Sequence, residues 1–239
     1  MASDQPCACI VGVGPGLGAA LAERFGREGH TIALLSRSTR HRDAIIKQIT
    51  AQGGSALGYE CDATNPASVA VAFAHVRKTL GDPAVLIYNV GSFAAGGLME
   101  LDPGTFENAW RANCYGGFLC AREVVPAMKA RGRGTLLFTG ATASKRGSAR
   151  FSGLAVGKFG LRALAQSLAR EFAPDGIHVA HVVIDGHIGR ETAREPTPDE
   201  AAGKVLAPRA IAETYWQIHC QDRSAWTLEL DLRPYPEHF

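Results

Sequence analysis

The chain has 239 residues, a length at which an α/β fold commonly forms one unit around one continuous core. Its 25 Lys and Arg against 23 Asp and Glu give a formal net charge of +2, far from the basic excess that binding a phosphate backbone requires. Nucleic acid is therefore not an expected partner. The sequence shows neither a secretory leader nor an apolar run long enough to cross a bilayer. We expect a cytoplasmic protein with no membrane partner.

The cysteines lack the paired two-residue spacing that is typical of zinc sites. They lie in apolar or helical contexts, which favours buried free thiols over metal ligands. The sequence therefore predicts no metal site. The residues concerned are Cys7, Cys9, Cys61, Cys114, Cys120 and Cys220.

Short apolar runs rich in Val, Ile and Leu alternate with helical stretches along the whole chain. This alternation predicts one α/β domain over residues 1–239, a doubly wound parallel sheet of about seven strands with helices on both faces. The predicted strands are Cys7–Val13, Thr31–Leu35, Ser55–Glu60, Ala84–Tyr88, Gly134–Phe138, Ile177–Val183 and Ala225–Leu230. The predicted helices are Gly16–Glu28, Arg40–Gln52, Pro66–Leu80, Gly104–Ala130, Phe151–Phe172 and Pro208–Cys220.

One long stretch, Asp185–Ala207, carries no strand or helix pattern and holds Pro196, Pro198 and Gly203 among charged residues. It follows the carboxyl end of the sixth strand, where ligands bind in open α/β sheets. A substrate lid over residues 185–207 and a merely mobile surface loop are both compatible with this pattern.

A glycine-rich segment, Val11-Gly12-Val13-Gly14-Pro15-Gly16-Leu17-Gly18, follows the first strand and opens the first helix. Glycines let the backbone turn tightly and approach a pyrophosphate, and the helix points its free N–H groups and positive dipole end at the phosphates. The segment therefore predicts a dinucleotide site. The expected contacts are Gly12, Gly14, Gly16, Leu17 and Gly18.

Gly12, Gly16 and Gly18 also match the Thr-Gly-x-x-x-Gly-x-Gly pattern of the short-chain dehydrogenase/reductase family, and further landmarks recur in order. Asp62 resembles the family's adenine-contacting Asp, and Asn89-Val90-Gly91 resembles its Asn-Asn-Ala-Gly motif. Asn113 resembles the family's catalytic helix Asn, and Lys158 resembles the Lys of its Tyr-x-x-x-Lys motif. Asp185-Gly186 resembles the Pro-Gly that lies beside the nicotinamide in the family. The resemblance covers nearly the whole chain and implies a Rossmann fold and an oxidoreductase. It also implies cofactor contacts at Asp62, Asn89, Gly91, Lys158, Gly186 and Ile188.

The end of the second strand favours NADP(H) over NAD(H). An acid there would hold the ribose 2′-hydroxyl of NAD and repel the 2′-phosphate of NADP. The chain instead reads Ser36-Arg37, and the first acid is Asp43. A guanidinium gives planar, charge-assisted hydrogen bonds to phosphate, and Ser36 adds another. The alternative is a solvated basic helix start.

Two catalytic positions of the family carry residues that cannot donate a hydrogen bond. Counting back four from Lys158 gives Leu154 where the family has its proton-donating Tyr, and the position of its Ser holds Ala141. The register of the related enoyl reductases gives Phe151. The resemblance therefore implies an atypical member without the catalytic Ser and Tyr.

Two other residues are candidates to replace the missing groups. Thr142, beside Ala141, is placed to polarise a substrate oxygen. His187 follows Asp185-Gly186, and histidine is the side chain best suited to proton delivery near neutrality. The predicted catalytic set is Asn113, Lys158, His187 and Thr142.

Three functions fit these residues. The first is an NADPH-dependent oxidoreductase that transfers hydride to a small carbonyl or conjugated substrate through a non-standard proton donor; the family's dienoyl-CoA reductases likewise do without that Tyr. The second is an NADP(H)-binding pseudoenzyme, and the third is a scaffold protein.

The chain is also expected to form a homo-oligomer. Helices Gly104–Ala130 and Phe151–Phe172 resemble the pair with which the family builds homodimers and homotetramers. Small residues of the second helix, Ala155, Gly157, Gly160 and Ala163, would permit close approach.

Overall fold

The computed structural model of the chain describes residues 5–189 and 197–236. Its strands are β1 (Cys7–Val11), β2 (Thr31–Ser36), β3 (Ser55–Glu60), β4 (Pro83–Tyr88), β5 (Gly134–Thr139), β6 (Ile177–Ile184), β7 (His187–Ile188), β8 (Val205–Leu206) and β9 (Glu229–Leu232). Seven of them form one parallel sheet in the order β3-β2-β1-β4-β5-β6-β9. The predicted doubly wound α/β fold is confirmed.

Helices cover both faces of this sheet, as the alternating pattern predicted. They are α1 (Leu17–Arg27), α2 (Arg42–Ala51), α3 (Pro66–Leu80), α4 (Pro103–Trp110), α5 (Gly116–Arg131), α6 (Ser152–Phe172), α7 (Pro198–Ala201) and α8 (Pro208–His219). One core layer contains Phe73 of α3 and Leu161 of α6, and the other contains Phe25 of α1 and Tyr215 of α8. Among the residues that the structure describes, no helix is long and apolar enough to span a membrane.

The strand order places a topological switch point at β1 and β4. From β1 the chain builds β2 and β3 on one side, then returns to place β4 on the other side of β1. Ligands bind outside the carboxyl ends of the strands at such a point, because the flanking loops leave in opposite directions there. The glycine-rich segment follows β1 and Asn89 follows β4, so both motifs meet at this edge.

Three predicted boundaries are wrong for local reasons. β1 ends at Val11 rather than Val13, because Gly12 leaves the sheet with φ of +91°. The predicted strand Ala225–Leu230 begins too early: Arg223–Ala225 is a 3₁₀ turn whose first N–H groups are capped by Asp222, and pairing with β6 starts at Glu229. The predicted helix Gly104–Ala130 is interrupted between α4 and α5 by a π-helical segment, Arg111–Tyr115.

The stretch 185–207 is more regular than predicted. β7 pairs with β8 in a small parallel ladder, and α7 begins at a capping box in which Thr197 and Glu200 bond each other's backbone. The expectation of an irregular segment is therefore wrong for these parts. Residues 190–196 of the proposed lid, including Pro196, lie outside the described residues.

Candidate functional site

The glycine-rich turn is tied directly to the loop after β4. The side-chain amide of Asn89 donates to the Gly12 carbonyl over 2.9 Å, and the Asn89 backbone N–H donates to the Val11 carbonyl. A Cβ atom on Gly12 would lie 2.7 Å from the Asn89 carbonyl and the Val90 nitrogen. Gly12 is therefore required twice, by its positive φ and by this close approach.

A cavity of about 680 Å³ opens at this edge of the sheet. It runs from the glycine-rich turn past the ends of β2 and β3 to the loop after β4. Nine of the predicted cofactor residues line it: Gly12, Gly14, Leu17, Gly18, Ser36, Arg37, Asp62, Asn89 and Gly91. The structure thus brings together most of the residues that the sequence singled out.

Gly16 lies beside this cavity rather than on its wall. It is the N-cap of α1 and has no side chain to satisfy the first N–H groups of the helix. A Cβ atom on Gly16 would lie 3.6 Å from the Gly189 carbonyl oxygen, so the chain after β7 passes next to the glycine-rich turn. The expected contacts Gly186 and Ile188 belong to that passing segment and are not part of the cavity wall.

Exposed cations mark the end of β2. Arg37 lines the cavity and has no carboxylate partner among the residues described here. The Ser36 hydroxyl donates to the Ser38 carbonyl over 2.8 Å, which turns the chain sharply after the strand. His41, the residue before α2, also lines the cavity. It was not among the predicted cofactor contacts.

Other lining residues were not predicted. Cys61, Ala63 and Thr64 flank Asp62, whose carboxylate accepts from the Thr64 backbone N–H and hydroxyl. Asn108 and Ala112 also reach the cavity from α4 and the π-helical segment. Their four-residue spacing on one helical face, just before Asn113, is the signal that could have identified them.

Lys158 sits deep in α6 at the ends of two central strands. Its ammonium group donates to the Thr139 carbonyl over 2.8 Å and to the Val90 carbonyl over 3.1 Å. The side chain is buried, and burial lowers its pKa to about 8. Two of its three N–H groups are therefore committed to the backbone, which aims the ammonium at the carboxyl ends of β4 and β5.

Asn113 is placed by the π-helical segment, a distortion often found at functional sites. Its amide donates to the carbonyls of Ser92 and Ala109, and its oxygen accepts from the Ser92 N–H over 3.2 Å. Both amide hydrogens are thus used to hold the loop after β4. A Cβ atom on Gly157 would lie 2.6 Å from the Asn113 Cβ, so α6 can pack here only with glycine.

Leu154 lies one helical turn before Lys158 on α6, with its side chain half-buried. Ala141 follows β5, and its backbone N–H donates to the Ser144 hydroxyl over 3.1 Å. Phe151 is the N-cap of α6 and packs edge-on against Phe93. These three side chains are apolar at the positions that the family resemblance singled out.

Thr142 is hydrogen-bonded within the protein. Its hydroxyl donates to the carboxylate of Asp185, which lies 3.3 Å from the Arg233 guanidinium. Arg233 in turn contacts Asp231. The Thr142 hydrogen is therefore directed at a carboxylate in this structure.

His187 is exposed on β7, directly after Gly186. Gly186 has φ of +148°, and a Cβ atom there would lie 2.8 Å from Pro234. The loop geometry consequently depends on glycine before His187. His178 and His181 are both buried in β6.

The chain belongs to the short-chain dehydrogenase family, whose model matches residues 6–187. It is 28% identical over 211 residues to sorbitol-6-phosphate 2-dehydrogenase of Escherichia coli strain K12, covering 87% of this chain and 82% of that protein.

Solved structures of the family have the same fold. A short-chain dehydrogenase from Rhodopseudomonas palustris superposes with a TM-score of 0.83 at 35% identity, over 96% of this chain and 99% of that one. A metagenomic short-chain oxidoreductase in complex with NADP gives 0.84 at 26% identity, over 96% of each chain.

Proposed function

We propose that the chain is an NADPH-dependent oxidoreductase that reduces a small carbonyl or conjugated substrate with a non-standard proton donor. The observation that carries this proposal is the convergence of the glycine-rich turn, Arg37 and Asn89 on one cavity, with Lys158 at the ends of the adjacent strands. Family membership and the related oxidoreductases support the reaction class.

The cavity fits a dinucleotide on the chain's own geometry. Gly14 lines it with nothing within 4 Å of where its Cβ would lie, so the backbone is open to a phosphate. The uncapped start of α1 offers N–H groups and the positive end of the helix dipole to an anion. Asp62, beside Cys61 and Ala63, supplies a carboxylate that can accept from an adenine amino group.

Arg37 supports preference for the 2′-phosphate. It is exposed at the cavity mouth with no carboxylate partner in the described parts of the chain, and His41 lies on the same wall. A guanidinium binds phosphate through charge-assisted hydrogen bonds, whereas the ribose hydroxyl of NADH gives it no anion. The metagenomic relative, whose structure contains NADP, is consistent with this preference.

Bound NADPH supplies a hydride, and the protein must stabilise the negative charge that develops on the substrate oxygen. Lys158 contributes positive charge at the ends of β4 and β5 and a remaining N–H for a ribose hydroxyl. Asn113 holds the loop that carries Val90, one of the two carbonyls that orient the lysine. Asn113 thus acts by positioning Lys158.

We assign proton delivery to His187, with a water molecule as the other donor. His187 is exposed, and its segment passes beside the glycine-rich turn. Thr142 can polarise a carbonyl only after its hydroxyl turns away from Asp185, which gives it the lesser role. The lid, in its described parts 185–189 and 197–207, would cover the substrate from this side.

A nucleotide-binding pseudoenzyme is the second candidate. Two observations favour it. Leu154 and Ala141 are apolar at the family's catalytic positions. The Thr142 hydroxyl and both Asn113 amide hydrogens already donate hydrogen bonds within the protein. In that function the cavity would bind NADPH and Lys158 would serve only to grip it.

Assembly as a homodimer or homotetramer is also part of the proposal. Gly157 and Gly160 face the π-helical segment of the same chain, so they do not provide the close subunit contact that the sequence suggested. The outward face of α6 instead presents Val156 and Phe159, which are 46% and 41% exposed, and Phe118 of α5 is 39% exposed.

Calorimetric titration with NADPH and NADH tests the cofactor assignment. Arg37→Ala should weaken NADPH binding by roughly tenfold to a hundredfold, since hydrogen bonds to a charged group contribute about 1.5–3 kcal/mol, and should leave NADH binding unchanged. Arg40→Ala is the matched control, because Arg40 is exposed on the same turn but does not line the cavity. Equal affinity for both nucleotides in the unaltered protein would contradict the assignment.

A further inference from the structure

A second cavity, of about 650 Å³, lies at the opposite edge of the sheet from the glycine-rich turn. Cys7 at the start of β1, Gly134 at the start of β5 and His178 near the start of β6 contribute to its wall. It is therefore formed at the amino ends of the strands, separate from the site assigned to NADPH.

The wall of this cavity is strongly basic. Arg131, Arg133 and Arg223 line it, and Asp82 is the one acidic residue among the described residues of its wall. None of the three arginines has a carboxylate partner within the described ranges. Placing like charges together without a counter-ion costs free energy, which a bound anion would offset.

Two of these guanidinium groups are held in place by the backbone. Arg131 donates to the carbonyls of Asp82 and Pro83 over 3.1 and 2.6 Å, and Arg223 donates to the Gly132 carbonyl over 2.8 Å. Each bond is to a neutral oxygen, so the positive charges remain uncompensated. Arg133 is exposed at the same wall.

Buried histidines supply further polar groups. His30 and His178 are 6% and 3% exposed, and the Nδ1 atom of each has no partner in hydrogen-bonding geometry within the described chain. His219 lies beside them and bonds the Thr135 hydroxyl over 2.9 Å. All three line the cavity. Burial lowers the pKa of each, to about 4 for His219, so near neutral pH they offer hydrogen bonds without charge.

We propose that this second cavity binds a phosphorylated small molecule. Three guanidinium groups can donate several hydrogen bonds to phosphate oxygens. The neutral imidazoles can hydrogen-bond the other polar atoms of the ligand. Trp226 stacks on His178 at a ring separation of 4.8 Å and gives the site an aromatic wall. The volume exceeds that of a lone phosphate, which indicates a phosphate carried on a larger group.

Pyrophosphate is a suitable probe, but it would also bind the glycine-rich turn. The titration therefore uses the full chain carrying Arg37→Glu, which opposes anion binding in the first cavity, and repeats it on the unaltered protein saturated with NADPH. We expect one equivalent of pyrophosphate to bind in both cases. If pyrophosphate binds neither to the Arg37→Glu protein nor to the NADPH-saturated protein, the proposal is overturned.

Charge reversal localises the probe. Arg133→Glu should weaken pyrophosphate binding by about tenfold or more, because it removes a charged donor and adds repulsion. Arg146→Glu is the matched control: the residue is exposed, its change in net charge is the same, and it lies outside the cavity wall. Equal weakening by the two variants would show a general charge effect and overturn the site.

Imidazole resonances provide a readout that does not depend on affinity. Pyrophosphate should shift the NMR signals of His30, His178 and His219 in the Arg37→Glu protein, while those of His41 and His187 at the other edge stay unchanged. Shifts confined to His41 and His187 would place the anion in the first cavity and contradict the proposal.

Discussion

The glycine-rich turn allows the fold and the proposed binding site to be perturbed separately. In Gly12→Ala the new Cβ would lie 2.7 Å from the Asn89 carbonyl and the Val90 nitrogen, at φ of +91°. The left-handed conformation costs an alanine about 1–2 kcal/mol, and overpacking against rigid backbone costs about 1–3 kcal/mol more. We expect Gly12→Ala to lower the free energy of unfolding by roughly 2–5 kcal/mol.

Gly14→Ala is the matched control in the same turn. A Cβ atom there meets nothing within 4 Å and projects where the backbone borders the cavity. Its stability should change by no more than about 0.5 kcal/mol. NADPH binding should weaken, because the methyl group would occupy space that a phosphate needs.

Thermal unfolding with and without NADPH measures both effects. For a domain of this size each kcal/mol shifts the melting temperature by about 2–4 °C, so Gly12→Ala should melt well below the unaltered protein. Gly14→Ala should melt normally without NADPH and lose most of the stabilisation that NADPH gives. If Gly12→Ala melts normally, or if NADPH stabilises Gly14→Ala fully, the assigned geometry of the turn is wrong.

Two further predictions concern acid stability and assembly. Burial lowers the pKa of His181 below its ordinary value and lowers the pKa of His219 to about 4, whereas both are about 6.5 in an unfolded chain, so the unfolded state binds more protons between these values. Stability should be complete above about pH 6.5 and fall as pH drops towards 4. Urea unfolding across this range should show a shallower pH dependence for His181→Asn, and an unchanged slope would contradict the assignment. For assembly, light scattering of Phe159→Glu should show monomers, while Val71→Glu on exposed α3 keeps the oligomer; a monomeric unaltered protein at micromolar concentration would refute the interface.

The fold was predictable because the buried strands read as continuous apolar runs. All five residues of β1 are apolar and buried, and such a run bounded by turns has few other solutions in a chain of alternating helices. Most of the cavity wall was predictable for a related reason: it is backbone and short loops that follow strand ends, so chain order alone brings Gly12 and Asn89 together.

The details that sequence could not give depend on contacts between distant segments. No local pattern indicates that Thr142 bonds Asp185, or that both Asn113 amide hydrogens are spent on Ser92 and Ala109. The π-helical segment before α5 also has no signal in helix propensity, and its close contact with Gly157 of α6 joins residues that are far apart in the sequence. These contacts decide which side chains remain available for chemistry.

The tyrosines bear directly on whether a conventional proton donor survives elsewhere. Tyr59, Tyr88 and Tyr215 hydrogen-bond Thr79, the Ala112 carbonyl and Thr139, respectively. Tyr115 stacks between Trp110 and Phe118. Tyr235 is 88% exposed and lies against Gly203. Of these five tyrosines, only Tyr235 has an exposed hydroxyl on the side of β7 and β8. Replacing Tyr235 therefore tests whether a tyrosine donates the proton.

The most direct test of the proposed function follows nicotinamide absorbance while NADPH reacts with a panel of carbonyl and enone compounds. Loss of absorbance is expected with at least one compound, with turnover abolished by Lys158→Met, lowered about a hundredfold by His187→Gln and unchanged by Tyr235→Phe. Activity that is insensitive to His187→Gln but abolished by Tyr235→Phe would contradict the assigned proton donor. NADPH that binds tightly yet is oxidised by no compound would contradict the reductase function and leave the nucleotide-binding pseudoenzyme.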